Sequence, residues 1–141
     1  MTTAIDTNVL SALLNATEKD TQRARAALLA ASQEGLLVVA PVVHAELCAA
    51  PNADETFVDD FLTKTRISVR WSVSEETWRQ AAHAYRAYAN RRRRQKGGEG
   101  PRRILADFIV GAHALQENAQ LLTFDQRHFR NAFPDLVLAS V

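Results

Sequence analysis

Cysteine, glycine, proline and long apolar runs are all scarce in this sequence. Cys48 is the single cysteine among 141 residues, so a disulfide within the chain is excluded and a reducing compartment is favoured. No apolar run approaches the ~20 residues that a membrane-spanning helix requires. The opening segment, MTTAIDTNVL, has neither a basic leader nor a signal-peptide core. We therefore expect a cytoplasmic protein with no membrane partner.

The low content of glycine and proline, five and four residues, excludes collagen-like and low-complexity organisation. What is present instead is 47% hydrophobic and 23% charged residues. These proportions are ordinary for a folded globular protein and exclude extensive disorder. A chain of 141 residues fits one domain, and we predict a single domain over residues 1–141.

The formal net charge of +1 conceals a strong segregation of charge. The segment from Arg91 to Arg103 contains one acid, Glu99, and seven basic residues. These basic residues are Arg91, Arg92, Arg93, Arg94, Lys96, Arg102 and Arg103. Because the segment has no apolar residue but holds three glycines and a proline, we predict a flexible basic loop at about 91–103. Such a loop indicates a polyanionic partner, and a connector that is merely kept soluble by its arginines is the alternative.

Short apolar runs alternate with longer helical patterns along the chain. The predicted strands are Thr2–Ile5, Leu36–Ala40, Ile67–Trp71, Leu121–Phe124 and Leu136–Ala139. Apolar residues at helical spacing over Ala24–Ala31 predict one helix between them. Ser74 followed by two acids predicts the start of another helix, with Trp78 on its apolar stripe. Strands without strict alternation that are separated by helices predict an α/β fold with a parallel sheet covered on both faces.

Four carboxylates lie in or beside the apolar runs. Asp6 ends the first predicted strand, Glu46 follows the second, and Asp125 follows the fourth. Asp107 lies in the almost entirely apolar stretch Ile104–Leu115. Burying an acid in such surroundings is costly unless something offsets its charge. Arg102 and Arg103, five and four residues before Asp107, are the basic residues that come closest to helical contact distance from any of the four acids. Because both fall in or near the loop that holds the glycines and the proline, we do not expect a simple ion pair to provide that offset.

Three of these acids have a purely structural alternative. Asp6 is also suited to cap a short helix over Asn8–Leu14, and Asp125 is suited to cap a short turn that follows it. Glu46 also fits the surface of a partly exposed helix. Taken one at a time, these acids therefore do not define a site.

The joint placement of the acids does favour a site. Ligand sites in open parallel sheets gather beyond the C-terminal ends of the strands, where Asp6 and Asp125 stand and which Glu46 closely follows. Asp107 shares one side of its predicted helix with Gly111, which we expect to leave space beside the carboxylate. Acids that converge without a cation repel one another unless a metal ion lies between them. All-oxygen ligands favour Mg²⁺ or Mn²⁺ over zinc, so the sequence predicts a site for one of these ions.

The order and spacing of these pieces resemble the PIN-domain family, and most closely the VapC-type toxins of bacterial toxin–antitoxin pairs. The matching pieces are AIDTNVL, Glu46 after a strand, ADFIVGAHA and LLTFDQRHF. The resemblance implies a PIN-like three-layer α/β/α fold with a five-stranded parallel sheet. It also implies that the catalytic, metal-binding acids are Asp6, Glu46, Asp107 and Asp125. Asn8 of the D-x-N element and Thr123 of the T-x-D element would support and orient these carboxylates.

The function that the resemblance implies is a metal-dependent endoribonuclease. Such an enzyme hydrolyses RNA phosphodiester bonds with Mg²⁺ or Mn²⁺, is restrained by a cognate VapB-like antitoxin, and commonly forms a homodimer. The basic segment would then bind RNA phosphates. A PIN-fold nuclease acting on other nucleic acid, DNA included, and a non-catalytic RNA-binding module remain as alternatives.

Other classes of protein fit these residues less well. A haloacid-dehalogenase-like phosphatase needs a second Asp where Asn8 stands. A receiver domain needs a clustered acidic pair and a lysine near the sheet end. A ribonuclease that relies on histidine needs an acid–base pair, whereas the histidines here are scattered. We interpret all of them as structural or surface residues: His44, His83, His113 and His128.

Overall fold

The computed structural model describes residues 1–15, 18–95 and 103–141. Strands and helices alternate along these ranges. The strands are β1 (Thr3–Ile5), β2 (Leu37–Val39), β3 (Ile67–Val69) and β4 (Gln120–Leu122). The helices are α1 (Thr7–Asn15), α2 (Glu18–Glu34), α3 (Pro41–Cys48), α4 (Glu55–Lys64), α5 (Glu75–Arg94), α6 (Leu105–Gln116) and α7 (Gln126–Ala132).

The strands form one parallel sheet in the order β3-β2-β1-β4. Ile5 of β1, Val38 of β2 and Leu121 of β4 are fully buried, because helices cover both faces of the sheet. Helices α1–α4 belong to the crossovers that run from β1 to β3, and α5 and α6 belong to the crossover that returns to β4. With the right-handed crossovers that are general in parallel sheets, this reversal puts the two sets of helices on opposite faces. The prediction of a three-layer α/β/α fold with a parallel sheet is therefore confirmed.

The fifth predicted strand is present only as an isolated bridge. Leu138 pairs in parallel with Leu121 of β4. The Leu121 amide donates to the Val137 carbonyl and the Ala139 amide donates to the Leu121 carbonyl, both at 2.9 Å. A turn closed by the Leu136 amide still occupies the start of the segment, so only one residue of β4 exchanges hydrogen bonds with it. Within the described residues the sheet thus has four strands rather than five.

Two predicted helices form as their patterns indicate. The small side chains of Ala24, Ala27 and Ala31 are buried along one side of α2. Ser74 caps α5, since its hydroxyl accepts a hydrogen bond from the Thr77 amide at 3.1 Å. Trp78 departs from its predicted stripe, because its side chain is 49% exposed.

The predicted basic loop is wrong in its first part. Arg91, Arg92, Arg93 and Arg94 form the last turn of α5. Arginine is a good helix former, and cations in the last turn interact favourably with the negative end of the helix dipole, so the helix continues through this run. Lys96 and Arg102 lie outside the described residues, and Arg103 lies two residues before the start of α6.

The chain reverses its direction across the sheet between β3 and β4. The crossovers from β1 to β2 and from β2 to β3 run one way, and the crossover from β3 to β4 returns past β1. The crevice beyond the C-terminal ends of β1 and β4 is therefore the topological switch point at which parallel α/β folds bind ligands. No helix in the described ranges is both long and apolar enough to cross a membrane.

Candidate functional site

Asp6 is a buried acid directly after β1. The residue is only 7% exposed to solvent. One carboxylate oxygen accepts a hydrogen bond from the Thr7 amide and the other from the Thr123 hydroxyl, both at 2.8 Å. Burial, with smaller contributions from the nearby carboxylates of Asp107 and Glu46, outweighs these two hydrogen bonds and raises the pKa of Asp6 to about 6. Asp6 is therefore charged at neutral pH at a cost to the fold.

Thr123 joins the ends of β1 and β4. The residue is fully buried, and its hydroxyl donates to Asp6. The same oxygen accepts from the Asp125 amide at 3.0 Å and from the Asn8 side-chain amide at 3.4 Å. The Asn8 side-chain oxygen accepts in turn from the Phe124 amide at 3.2 Å. Asn8 and Thr123 thus contact the acid of β1 and the backbone that carries the acid after β4.

Glu46 lies near the end of α3 and is half-buried. One of its carboxylate oxygens accepts a hydrogen bond from the Thr7 hydroxyl at 2.6 Å. Thr7 begins α1 and also donates its amide to Asp6, so one residue contacts two of the acids. Sequence analysis missed Thr7, although its place between the Asp and Asn of the D-x-N element is the signal that could have indicated it.

Asp107 lies in the first turn of α6 and is half-buried. Burial raises the pKa of its carboxyl. His128 and Arg103 oppose this rise, whereas the charges of Glu46 and Asp125 add to it. Asp6 interacts with Asp107 and Glu46 in the same way. The structure thus couples all four acids electrostatically, and we refer to Asp6, Glu46, Asp107 and Asp125 as the acid group.

Asp125 has the cationic partner that the sequence did not lead us to expect. The Arg103 guanidinium forms an ion pair with the Asp125 carboxylate, and the Arg103 amide donates to the Tyr88 hydroxyl at 3.1 Å. The expectation of no ion pair is wrong, because this contact joins residues 22 positions apart and does not follow helical spacing. Asp125 stands at the first position before α7, but its side chain does not cap the helix.

Gly111 serves a different purpose from the one predicted. A Cβ atom at this position would lie 2.3 Å from the ring of Phe133. The missing side chain therefore admits an aromatic ring against α6 and does not open space beside Asp107. Phe133 is buried in this contact and forms part of the core.

The donor chemistry of the acid group fits a divalent cation. All of its ligand atoms are carboxylate oxygens, and the pKa values of Asp6 and Asp107 are raised by burial and mutual repulsion. Arg103 is the one cation in direct contact with it among the described residues. As the side chains stand, no three acids, histidines or cysteines in the described ranges form a group that could hold a metal ion. Asp6, Glu46 and Asp107, which have no basic partner there, are the residues available to such an ion.

The predicted basic residues separate into two sets. Arg91 and Arg92 line a cavity of about 250 Å³ that also contacts Arg103 and Asp125. The Arg93 guanidinium instead donates to Asn90 on its own helix at 3.4 Å. Three residues of α7 also line the cavity: Arg127, His128 and Asn131. The sequence did not indicate Arg127 and Asn131 as site residues.

The histidines are consistent with structural roles. His113 is fully buried, and one ring nitrogen lies 3.2 Å from the Arg70 carbonyl. His128 packs edge-on against Phe108, with ring centroids 5.2 Å apart. Burial lowers the pKa of both histidines, so both are neutral at pH 7.

The family model for the PIN domain matches residues 3–134. The chain belongs to the PIN domain family. This match confirms the predicted family. Proteins of this family are nucleases. A comparison with curated protein sequences finds no match.

Several solved structures share the PIN fold over nearly the whole chain. VapBC2 from Rickettsia felis, bound to a DNA fragment from its promoter, has a TM-score of 0.67 and 20% identity, and the match covers 98% of this chain and 97% of that one. VapBC-1 from nontypeable Haemophilus influenzae has a TM-score of 0.64 and 23% identity, over 99% and 98%. FitAcB from Neisseria gonorrhoeae has a TM-score of 0.61 and 20% identity, over 98% and 96%. These matches establish a shared fold.

Proposed function

We propose that this PIN-domain protein is a metal-dependent endoribonuclease and the toxin of a toxin–antitoxin pair. One observation carries the proposal: four carboxylates are coupled at the topological switch point, and burial raises the pKa of Asp6 to about 6. A fold that keeps a buried, mutually repelling acid group loses stability by doing so. A divalent cation would offset that repulsion, which gives the group a function that packing alone does not.

The residues that would hold Mg²⁺ or Mn²⁺ are Asp6, Glu46, Asp107 and Asp125. When bound, such an ion activates a water molecule and stabilises negative charge on a phosphodiester. The chain's own part is to fix the ligands. The Thr123 hydroxyl and the Thr7 amide hold the two oxygens of Asp6, and the Thr7 hydroxyl holds Glu46.

Arg103 has two roles in this proposal. It neutralises Asp125 while no substrate is present. A phosphate that enters beside Asp125 would offer the guanidinium a second anionic partner, so that Arg103 would contact substrate and the Asp125 carboxylate would be available to hold the ion. Together with Arg103, the residues proposed to bind RNA are Arg91, Arg92, Arg93, Arg94, Lys96 and Arg102.

RNA is the proposed substrate because the sequence most closely resembles VapC-type toxins. Hydrolysis by an activated water does not use the 2′-hydroxyl of RNA, so the products carry 5′-phosphate and 3′-hydroxyl ends. A chemistry based on histidine would leave a 2′,3′-cyclic phosphate instead. The buried, neutral rings of His113 and His128 do not favour that alternative.

A VapB-like antitoxin is the proposed partner. The solved structures similar in fold are VapBC and FitAB assemblies. We infer that the antitoxin places a cation at the acid group, as Arg103 already does at Asp125. We also infer a homodimer, for which the exposed side chain of Leu29 on α2 and the half-buried Leu13 on α1 offer an apolar surface.

The test uses purified protein and total RNA with Mg²⁺ or with EDTA. Asp107→Asn keeps the shape of the side chain and removes its charge, and Asp135→Asn is the matched control at an exposed acid outside the acid group. We expect magnesium-dependent cleavage by the wild type and the control, and a loss of more than about 100-fold in Asp107→Asn. Cleavage that survives in Asp107→Asn, or products with 2′,3′-cyclic phosphate ends, would contradict the mechanism.

A further inference from the structure

A basic cavity adjoins the acid group. Its volume is about 250 Å³, and it lies between α5, α7 and Arg103, two residues before α6. Its wall is rich in arginines, namely Arg91, Arg92, Arg103 and Arg127. Asp125 is the one acid among the described residues that lines it. We refer to this space as the basic cavity.

The acids of the described residues neutralise little of the charge of the basic cavity. Arg103 pairs with Asp125, but Arg91, Arg92 and Arg127 have no acidic partner in the described part of the chain. Like charges that are held together around a concave surface raise the local concentration of anions. The cavity therefore has the electrostatics of an anion site.

Two buried nitrogens in the wall of the cavity also lack partners. Nε of Arg92 and Nε2 of His128 are inaccessible to solvent and have no hydrogen-bond partner among the described residues. His128 is only 8% exposed, so solvent does not satisfy its ring. Buried polar atoms in folded proteins are almost always paired. The described residues around the cavity therefore leave polar groups of Arg92 and His128 unsatisfied.

We propose that the basic cavity binds a backbone phosphate of the nucleic-acid strand, next to the phosphodiester that the acid group cleaves, and that Arg127 is one of its binding residues. Asp125 belongs to both the cavity and the acid group, so a strand that fills the cavity runs directly on to the acids. The identity of the ligand as nucleic acid rests on the proposed function. The location of the anion site rests on the cavity alone.

The cavity separates arginines that the sequence does not distinguish. Arg127 and Arg130 both lie on α7, but Arg130 donates to Gln126 at 2.9 Å and does not line the cavity. Arg92 and Arg93 are neighbours on α5, and only Arg92 lines it. Each pair therefore offers two substitutions that change the net charge equally, one at a residue that lines the cavity and one at a residue that does not.

The test measures binding without cleavage. Fluorescence anisotropy of a fluorescein-labelled single-stranded RNA is recorded in EDTA over a series of salt concentrations, with the full chain. We expect Arg127→Gln to weaken binding about 10-fold, the size of one charge-assisted hydrogen bond, and to reduce the salt slope by about 0.7. Arg130→Gln should stay within about 2-fold of the wild type, because surface charge away from the strand contributes little. Equal losses in Arg127→Gln and Arg130→Gln would overturn the proposal.

A second pair guards against effects on folding. Arg92→Gln should bind RNA more weakly than Arg93→Gln, and thermal melting of each variant shows whether it is folded. Arg127 is exposed, so Arg127→Gln is expected to melt with the wild type. Arg127→Lys, which keeps the charge, should recover part of the lost affinity. Failure of lysine to improve on glutamine would contradict binding of a phosphate by this side chain.

Two further measurements, of DNA binding and of RNA cleavage, distinguish failure of this proposal from failure of the proposed function. Single-stranded DNA of the same sequence should show the same difference between Arg127→Gln and Arg130→Gln, because the phosphate is common to both polymers. A difference confined to RNA would overturn the assignment to a phosphate. Cleavage with Mg²⁺ is assayed separately. Intact cleavage with no difference between the two variants refutes the cavity alone, and a clear difference without any cleavage refutes the nuclease alone.

Discussion

The acid group and the basic cavity meet at Asp125 but are built in opposite ways. The acid group is held by short hydrogen bonds from Thr7 and Thr123 at the ends of strands, and Asp6 at its centre is buried. The basic cavity is lined by long side chains from helix surfaces, several of which are exposed. The acid group is electrostatically strained, whereas the basic cavity is open to solvent. This difference matches precise positioning in one region and tolerance of sequence in the other.

The burial and mutual repulsion of the carboxylates in the acid group predict how the stability of the fold depends on pH. The pKa of Asp6 is about 6 in the folded chain and 3.8 in an unfolded one, so the folded state binds more protons between these values. Without divalent cations, the free energy of unfolding should therefore fall as pH rises from about 4 to about 6, by about 3 kcal/mol for Asp6. Burial of Asp107 acts in the same direction.

Denaturant unfolding across this pH range checks that prediction. Asp6→Asn removes the charge and should be more stable than the wild type at pH 7 but not at pH 4. Asp135→Asn, at an exposed acid, is the control and should follow the wild type. If the wild type is equally stable at both ends of the range, the electrostatic contrast between the two regions does not exist.

The positioning of Glu46 within the acid group is tested at Thr7. Thr7→Val removes the hydroxyl that holds Glu46 and keeps the size of the side chain. Partners that orient metal ligands are worth about 10–100-fold, so cleavage should fall by that factor while RNA binding in EDTA stays unchanged. Thr7→Ser restores the hydroxyl and should recover activity. Thr56→Val at an exposed position of α4 is the control, and a similar loss there would remove the role assigned to Thr7.

Metal addition should stabilise the acid region without requiring the basic cavity. With Mg²⁺ at about ten times its dissociation constant, linkage gives about 1.4 kcal/mol, or a rise in Tm of about 3–6 °C. The rise should be preserved in Arg127→Gln and absent in Asp6→Asn. Differential scanning fluorimetry provides the measurement. A rise of equal size in Asp6→Asn would place the ion elsewhere.

The smallest expected effect concerns the link between the two regions. Arg103→Gln breaks the ion pair with Asp125, which is partly exposed and should change the free energy of unfolding by less than about 1 kcal/mol. We also expect Arg103→Gln to change the affinity for Mg²⁺ and the affinity for RNA in opposite directions. Calorimetry should find tighter Mg²⁺ binding, because Asp125 is released, and anisotropy should find weaker RNA binding. If both affinities fall, Arg103 does not compete with the cation for Asp125.

Local patterns in the sequence sufficed for the fold class and for much of the acid region. Buried strands that lack alternation read as parallel strands, and acids at their ends stand out because they break apolar runs. Contacts between distant residues left no such signal. The ion pair of Arg103 with Asp125 and the Phe133 ring at Gly111 depend on tertiary packing.

The basic region was harder to predict for a related reason. A run of arginines is compatible with a solvated loop and with a helix end, and the structure resolves Arg91–Arg94 as helix. Arg127 lies in an ordinary polar helix, and nothing in its neighbours distinguishes it from Arg130. Only the packing of α7 against α5 brings Arg127 to the cavity. A cavity between two helices is a property of their arrangement, which no sequence window contains.

Pairing of Ile5 with Leu122 has a consequence for the timing of synthesis. Because these residues are in register, Asp6 and Thr123 emerge side by side from adjacent strands, although 117 positions separate them. A nascent chain still lacking β4 possesses Asp6 but has nothing to align it with. On the ribosome, the assembled centre therefore cannot exist until Thr123 has been made, which delays any hydrolytic capacity until β4 has been synthesised.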